Sequence, residues 1–145
     1  MIVLDEYFGK YKDHPDATIE KMENASDLLG RVNALMEEAF LDGIDFRVNP
    51  VTLCHVAGSG NGGFRPRDCC EGAPQSSHKD GKGVDVYDGH RGDGQAFGTW
   101  CAAHLDKLEK HGLYMENPLS TVGKWTAWVH LTTRQPASGR RIFIP

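Results

Sequence analysis

The segment "SSHKDGKGVD", residues 76–85, contains two side chains of the types that bind metal ions. His78 and Asp85 flank a glycine-rich stretch, and Gly81 and Gly83 permit a turn with close backbone approach. If His78 ends one segment and Asp85 lies early in a strand, both side chains can point at one ion. Because two ligands do not hold zinc tightly, the stretch predicts either half of a metal site or a surface turn that contains a histidine.

The candidate third ligand is His130 in "KWTAWVHL". A catalytic zinc site needs three protein ligands and an open position for water. Trp128 can pack beside His130 and exclude water, which strengthens electrostatic interactions at an ion. Taken alone, His130 also fits a buried structural histidine. The combination of His78, Asp85 and His130 in this order favours a metal site.

One long helix and several short strands are predicted to position these residues. From Thr18 to Leu41, apolar residues recur every three or four positions, and Asp42-Gly43 fits a helix end. Residues 1–17 are interpreted as irregular. The apolar stripe of the helix consists of Leu28, Val32, Leu35, Met36, Ala39 and Phe40.

The remaining elements are shorter. A second helix is expected from about Gly94 to His111, with Asp93 as N-cap, Gly112 as the stop and His104 as a core histidine with a polar partner. The tail "SGRRIFIP" is interpreted as a closing strand. The other predicted strands are Phe46–Val48, Thr52–Val56, Gly83–Tyr87 and Trp125–Leu131. Together they predict an α+β fold with helices packed on a small antiparallel sheet.

Length and composition indicate one soluble globular domain, residues 1–145. The chain has 39% hydrophobic and 25% charged residues and a formal net charge of −4. This charge does not suit a protein that binds polyanions, and no basic stripe interleaved with aromatic residues indicates nucleic-acid binding. No apolar run approaches the ~20 residues of a membrane span, so no membrane insertion is expected. No feature indicates oligomers, and we expect a monomer.

The four cysteines are predicted to be reduced thiols, because they form no CxxC pair. A disulfide is the minority alternative. The N-terminus "MIVLDEYFGK" has an acidic pair where a signal peptide needs an apolar region, so no secretion signal is predicted.

The metal-ligand motifs resemble those of the D-alanyl-D-alanine carboxypeptidase and L-alanyl-D-glutamate endopeptidase family of zinc peptidases. The family pattern is S-x-H-x-x-G-x-A-x-D, followed much later by W-x-H. Ser76, His78, Gly81 and Asp85 match the first part, with Gly83 where alanine is usual. "WVH", residues 128–130, matches the second part.

A third segment extends the resemblance, which runs from about residue 18 to the end. "GGFRPRDC" resembles the family's S-G-[FY]-R segment and makes Arg65 the matching arginine. The tail "WVHLTTRQPASGRRIFIP" is closest in character to phage-encoded members. The resemblance implies the hedgehog/DD-peptidase fold.

The resemblance also implies a mechanism. One zinc ion would be held by His78, Asp85 and His130, with water in the fourth position, lowering the pKa of that water toward ~7. Arg65 would stabilise the developing oxyanion or bind a substrate carboxylate. Ser76 would hydrogen-bond within the site or cap the turn, rather than act as a nucleophile. Ser76 and Trp128 are the expected substrate-binding residues.

The general base is where the chain departs from the family. The family carries Glu or Asp a few residues before the last histidine, but Ala127 occupies that region and no acidic residue follows Glu116. If residues 113–116 pair antiparallel with residues 127–130, Glu116 lies opposite about Ala127 and can supply the base. The alternative is an exposed loop glutamate.

Two other residues are weaker substitutes for the base. Asp88 and His90 lie in "DGHRGDG", just past the Asp85 strand. This segment is interpreted as a solvated loop.

The resemblance implies a zinc-dependent peptidoglycan peptidase of the endolysin type. It would hydrolyse a stem-peptide amide, L-Ala–D-Glu or D-Ala–D-Ala, during phage lysis. We expect the host cytoplasm as its location, with action on the cell wall after release. Ala127 supports an alternative, a non-catalytic zinc-containing wall-binding or virion structural domain. A third hypothesis is a domain whose His78–Asp85 hairpin binds no metal.

The tail after Glu116 is basic and carries no acid. Its cations suit an anionic substrate such as peptidoglycan, whose stem peptides bear carboxylates, and they equally suit a solvated basic face. They are Lys124, Arg134, Arg140 and Arg141.

Overall fold

The fold is mixed α/β, with a four-stranded sheet and several helices. The computed structural model describes residues 1–89, 95–121 and 127–144. The helices are α1 Leu4–Phe8, α2 Ile19–Leu41, α3 Ala96–Ala103 and α4 Leu105–Lys110, with 3-10 turns at Gly9–Tyr11, Ser77–Asp80 and Pro118–Ser120. The strands are β1 Gly83–Tyr87, β2 Tyr114–Glu116, β3 Trp128–Thr132 and β4 Ile142–Phe143. Within the described ranges, no helix has the length and apolar character needed to cross a bilayer.

The sheet has the strand order β1-β3-β2-β4. β3 pairs antiparallel with both β1 and β2, as expected. The expectation of a purely antiparallel sheet was wrong, because β4 pairs parallel with β2. After β3 the chain reverses direction and returns on the outer side of β2, which itself runs opposite to β3.

Helix α2 confirms the predicted long helix. Thr18 caps it, since its Oγ1 accepts a hydrogen bond from the Lys21 amide at 3.4 Å, and Gly43 follows the end with φ of 95°. The predicted stripe is buried as far as Ala39. Phe40 was wrongly included, because this last-turn side chain is 63% exposed.

The N-terminal segment is more ordered than predicted. Residues 1–17 include α1 and a 3-10 turn, so the irregular interpretation was wrong. Tyr7 and Phe8 are buried in the core. The Tyr7 hydroxyl donates a hydrogen bond to the Gly83 carbonyl at 2.9 Å, which ties α1 to the first residue of β1.

The second helix is interrupted. α3 and α4 are separated at His104, whose φ of −124° and ψ of 59° are not helical. His104 is half-buried, and its Nδ1 lies 2.8 Å from the Trp100 carbonyl, so it has the expected polar partner. The predicted start at Asp93 and Gly94 lies outside the described residues.

Asp88 supports the start of α3, so its interpretation as part of a solvated loop was wrong. It is 3% exposed, and its carboxylate accepts hydrogen bonds from the amides of Phe97 at 3.0 Å and Gly98 at 2.9 Å. Among the weaker candidates for the base, His90 lies outside the described residues.

The predicted strands at Phe46–Val48 and Thr52–Val56 were wrong. This region is irregular apart from an isolated bridge between Val56 and Val86. The Asn49 side chain donates to the carbonyls of Val56 at 3.0 Å and Gly58 at 2.8 Å. Such side-chain bonds satisfy backbone groups that a strand would otherwise pair.

The two faces of the sheet have different environments. Side chains alternate between faces along a strand, and directly paired residues share a face. One face packs into the hydrophobic core through Val84, Val86, Met115, Val129 and Leu131, all buried. The other face carries the polar residues of the candidate site. All four cysteines are free thiols, as predicted.

Candidate metal centre

Three polar side chains form one row across the polar face of the sheet. Asp85 pairs directly with His130 in the β1–β3 register. β2 pairs with β3 through Met115 and Leu131, so extending the register by one residue puts Glu116 level with His130. The expected register, with Glu116 opposite Ala127, was therefore wrong. The actual register brings Glu116 closer to the ligands than the predicted one.

His78 reaches the row from outside the sheet. It lies in the 3-10 turn Ser77–Asp80, which ends at Gly81 in the left-handed conformation, with φ of 73°. A Cβ at Gly81 would collide with the Lys21 carbonyl of α2. Glycine therefore allows the turn to pack against α2 while delivering His78 toward β1.

The three predicted ligands converge on one point. His78 Nε2 lies 3.2 Å from His130 Nδ1 and 3.2 Å from Asp85 Oδ1. His130 Nδ1 lies 2.7 Å from Asp85 Oδ1. The three residues are buried, with exposures of 2%, 8% and 9% for His78, Asp85 and His130. They form the group of potential metal ligands found in the described part of the chain.

Surrounding hydrogen bonds orient both imidazoles. His78 Nδ1 lies 2.7 Å from the Gly63 carbonyl. Because a carbonyl only accepts, Nδ1 carries the proton and a neutral His78 directs the lone pair of Nε2 at the other two ligands. His130 Nε2 lies 3.3 Å from Ser77 Oγ. That contact leaves His130 Nδ1 facing the shared point.

The two carboxylate oxygens of Asp85 have different partners. Oδ1 faces the histidines, and Oδ2 accepts a hydrogen bond from Arg65 Nη2 at 2.9 Å. Arg65 Nε in turn donates to the Asn61 carbonyl at 2.5 Å. Burial alone would raise the pKa of Asp85, but the neighbouring His78 and His130 hold it well below its usual range. Asp85 is therefore a carboxylate.

Two further pKa shifts suit a metal site with an adjacent base. Burial lowers the pKa of His78, which keeps its imidazole neutral and able to coordinate. Burial raises the pKa of Glu116, with Asp85 adding to the increase and His130 opposing it. Glu116 therefore binds a proton more readily than an exposed glutamate does.

The donor set fits a tetrahedrally coordinated ion. Zinc bonds of about 2.0–2.1 Å in a tetrahedral arrangement keep neighbouring donor atoms about 3.3 Å apart. The two contacts of His78, both 3.2 Å, match this spacing, and the third contact has the length of a hydrogen bond. Two imidazoles and a carboxylate also match the ligand types of catalytic zinc sites.

All the predicted site residues meet at one cavity. It has a volume of about 380 Å³ and adjoins the three ligands. Its wall also includes the residues predicted to act on the substrate, together with Phe143, which sequence reasoning did not identify. The predicted residues in the wall are Arg65, Ser76, Glu116 and Trp128.

Several supporting residues were not predicted. Ser77 and Gly63 orient the histidines, and Gly63 must be glycine because a Cβ there would collide with the Tyr7 carbonyl. Gly83 stands where the resembled family has alanine. A Cβ at Gly83 would collide with Ser77 Oγ and lie 3.1 Å from His130 Cε1. That departure from the family pattern is a signal that could have pointed to Ser77.

Comparison with protein-family models, curated proteins and solved structures finds no match to this chain. The resemblance to zinc peptidases therefore remains a prediction from a few motifs.

Proposed function

We propose that this protein is a zinc-dependent metallopeptidase that hydrolyses an amide bond in the stem peptide of peptidoglycan. The observation that carries the proposal is the row Asp85–His130–Glu116, completed by His78. Three buried ligands meet on one side of a cavity, and a carboxylate with a raised pKa faces the same cavity. This combination is what amide hydrolysis at a metal centre requires.

His78, Asp85 and His130 would hold the zinc ion. When bound, zinc supplies Lewis acidity toward a substrate carbonyl and lowers the pKa of a coordinated water to about 7. Hydrogen bonds within the protein hold these side chains in position. Gly63 and Ser77 fix the imidazoles, and the bond from Arg65 fixes Asp85.

Glu116 is the proposed general base. It takes a proton from the attacking water and delivers it to the nitrogen of the leaving amine. Its raised pKa favours this exchange, because a base works best when its pKa is close to the working pH. Its position beside His130 in the sheet compensates for Ala127, where the resembled family carries its acidic residue.

Arg65 is proposed as both a positioning and a catalytic residue. Its bond to Asp85 holds one ligand, and its permanent positive charge in the cavity wall favours the negative charge that develops on the substrate carbonyl oxygen. Trp128 and Phe143 supply apolar walls and Ser76 a hydroxyl, which suits a peptide substrate. The bond cleaved is proposed to be L-Ala–D-Glu or D-Ala–D-Ala. The protein would reach the cell wall after its release from the host cytoplasm.

The experiment is hydrolysis of purified cell walls by wild type and Glu116→Gln. Loss of a general base lowers the rate by about 10²–10⁴-fold, while zinc content stays at the wild-type level. Glu109→Gln is the matched control, because Glu109 is exposed on α4. Equal rates for Glu116→Gln and Glu109→Gln would exclude Glu116 as the base.

The same assay decides between the proposal and its alternative. Ala127 is buried and lacks a carboxylate, which favours a non-catalytic zinc-containing wall-binding or virion structural domain. That alternative predicts a wild type that contains zinc and binds walls but releases no peptide fragments.

A further inference from the structure

A second pocket adjoins the metal-site cavity. It has a volume of about 530 Å³ and shares Gln75, Ser76 and Arg134 with the wall of the cavity. We call it the basic groove. Its charged residues are Arg67, Lys79, Asp80 and Arg134. Three cations and one anion give the groove a local charge of +2, although the whole chain has a formal net charge of −4.

Lys79 is a buried cation without an acidic partner. It is 6% exposed, and its ammonium donates to the carbonyls of Arg67 at 3.2 Å and Cys69 at 3.1 Å. An ammonium has three donors, so one remains. Lys21 is equally buried but pairs with Asp16 at 2.6 Å. In the described ranges no carboxylate lies within ion-pair distance of Lys79, and such burial is costly unless an anion offsets it.

The other two cations leave the groove positively charged. Arg134 is held by Asp80 and by the Gln75 carbonyl, the latter at 2.5 Å. Asp80 therefore offsets one of the three positive charges. Arg67 is exposed at the groove and forms no ion pair with the described residues. Two cations, one buried and one exposed, are thus available to one anion.

We propose that the basic groove is a subsite for a carboxylate carried by the peptide substrate close to the cleaved amide. This inference rests on the proposed peptidase function and specifies its substrate class, acidic peptides. A carboxylate can accept hydrogen bonds from Arg67 and from the third donor of Lys79 at once, and such charge-assisted bonds are stronger than neutral ones. The shared wall formed by Gln75, Ser76 and Arg134 lets one substrate span both pockets.

The remaining basic residues of the tail do not contribute to this groove. Arg141 stacks on Tyr114 at 4.4 Å and donates to the Leu113 carbonyl at 3.2 Å. Arg140 is exposed and lines neither pocket. Lys124 lies outside the described residues. Of the tail cations in the described ranges, Arg134 is thus the one that lines the site.

The test compares two synthetic stem peptides that differ in one group. One has the free α-carboxylate of D-glutamate, and the other has the carboxamide, with all other carboxyl groups amidated in both. Wild type is expected to prefer the acid by about tenfold in kcat/KM, mainly through KM, as expected for loss of one charge-assisted contact. Arg67→Gln lowers this acid-to-amide ratio toward one. Arg140→Gln, the matched exposed control, retains the wild-type ratio.

A binding measurement separates failure of the subsite from failure of the peptidase proposal. Calorimetric titration of both peptides into the Glu116→Gln protein as purified needs no hydrolysis. If no peptide is cleaved but the acid binds more tightly and Arg67→Gln removes the difference, the peptidase proposal fails and the carboxylate subsite stands. Lys79→Met, checked for folding by circular dichroism, should weaken acid binding in the same way.

Three results would overturn the subsite. The first is equal kcat/KM or equal affinity of wild type for acid and amide. The second is an acid preference that Arg67→Gln leaves unchanged. The third is binding of inorganic phosphate in the groove without any difference between the peptides, which would make it a phosphate site.

Discussion

Gly83 has a role at the candidate metal centre that its lack of a side chain makes easy to overlook. It begins β1, and its carbonyl accepts the hydrogen bond from Tyr7. The space where a Cβ would lie is filled by Ser77 Oγ and the ring of His130. Gly83 therefore allows the contact between Ser77 and His130 that orients one ligand.

We predict that Gly83→Ala weakens zinc binding about 10–100-fold, because the added methyl group must displace Ser77 or His130 and so disturbs the orientation of a ligand. It should also lower the free energy of unfolding by about 1–3 kcal/mol through overpacking. Competition with a chromophoric chelator measures the first effect, and urea unfolding measures the second.

Gly30→Ala is the matched control, because a Cβ at Gly30 meets no atom within 4 Å. This substitution lies inside α2 and should stabilise the protein by about 0.5–1 kcal/mol without changing zinc affinity. An unchanged zinc affinity in Gly83→Ala would show that the Ser77–His130 contact has no role in coordination.

The convergence of the three candidate ligands could be predicted from the sequence, but most of the contacts that support them could not. Residue type and order along the chain were enough to select His78, Asp85 and His130. Arg65 was selected by resemblance, yet its bond to Asp85 spans 20 residues of sequence. His78 contacts the backbone carbonyl of Gly63. Because every residue has such a carbonyl, the residue type at position 63 does not indicate this contact.

At the scale of elements, Glu38 joins the end of α2 to α4. Its carboxylate contacts Lys107 at 2.6 Å, Lys110 at 2.7 Å and His111 at 2.8 Å. α4 leads through Leu113 directly into β2, the strand that carries Glu116. The ion pairs of Glu38 therefore help to fix the start of the strand that supplies the proposed base.

This cluster predicts acid-sensitive stability. Hydrogen bonds from Lys107, Lys110 and His111 lower the pKa of Glu38 from 4.5 to about 2. Because the pKa of Glu38 is lower in the folded than in the unfolded protein, its ionised form stabilises the fold at pH values above about 4.5. This contribution is lost as the pH falls toward 2. Glu38→Gln should cost about 1–2 kcal/mol at pH 7, after allowance for solvent screening, and almost nothing at pH 2.

Urea unfolding at several pH values measures the Glu38 effect. Glu37→Gln serves as the control, since Glu37 is the exposed neighbour in the same helix. A difference between wild type and Glu38→Gln that does not change between pH 6 and pH 2 would contradict the ion-pair explanation.

Elements with strong local signals were predicted well, and those that depend on distant partners were not. α2 has a long periodic stripe and a Thr18 cap, so its bounds agree with the prediction to within one residue. The strand predicted at Thr52–Val56 had suitable residue types, but Asn49 binds the backbone there instead. The β2–β3 register was wrong by three residues, because pairing depends on contacts that one strand alone does not encode.

At the scale of the molecule, one face of the sheet packs in the hydrophobic core and the other face carries the candidate metal centre. Its core face is covered by hydrophobic residues, and its other face carries the ligand row and the cavity. His78 comes from outside the sheet, so a metal ion would link the Ser77–Asp80 turn to β1 and β3. The fold as a whole should therefore respond to metal binding.

We predict that zinc raises the thermal stability of the folded protein. A ligand at 100 times its Kd adds about 2.7 kcal/mol, which corresponds to an increase of about 5–10 °C in Tm for a domain of this size. Differential scanning calorimetry with added zinc and with chelator measures the shift. Asp85→Asn should show a much smaller shift, and an equal shift in both proteins would place the binding elsewhere.

The most direct test of the account is elemental analysis of wild type, His78→Ala and the control His55→Ala, purified at neutral pH without chelator. We predict about one zinc per chain in wild type and in His55→Ala, because His55 lies outside the ligand group. His78→Ala should lose the metal. Three results would contradict a zinc centre at His78, Asp85 and His130. They are the absence of zinc from reconstituted wild type, the retention of zinc by His78→Ala, and the presence of iron instead of zinc in wild type.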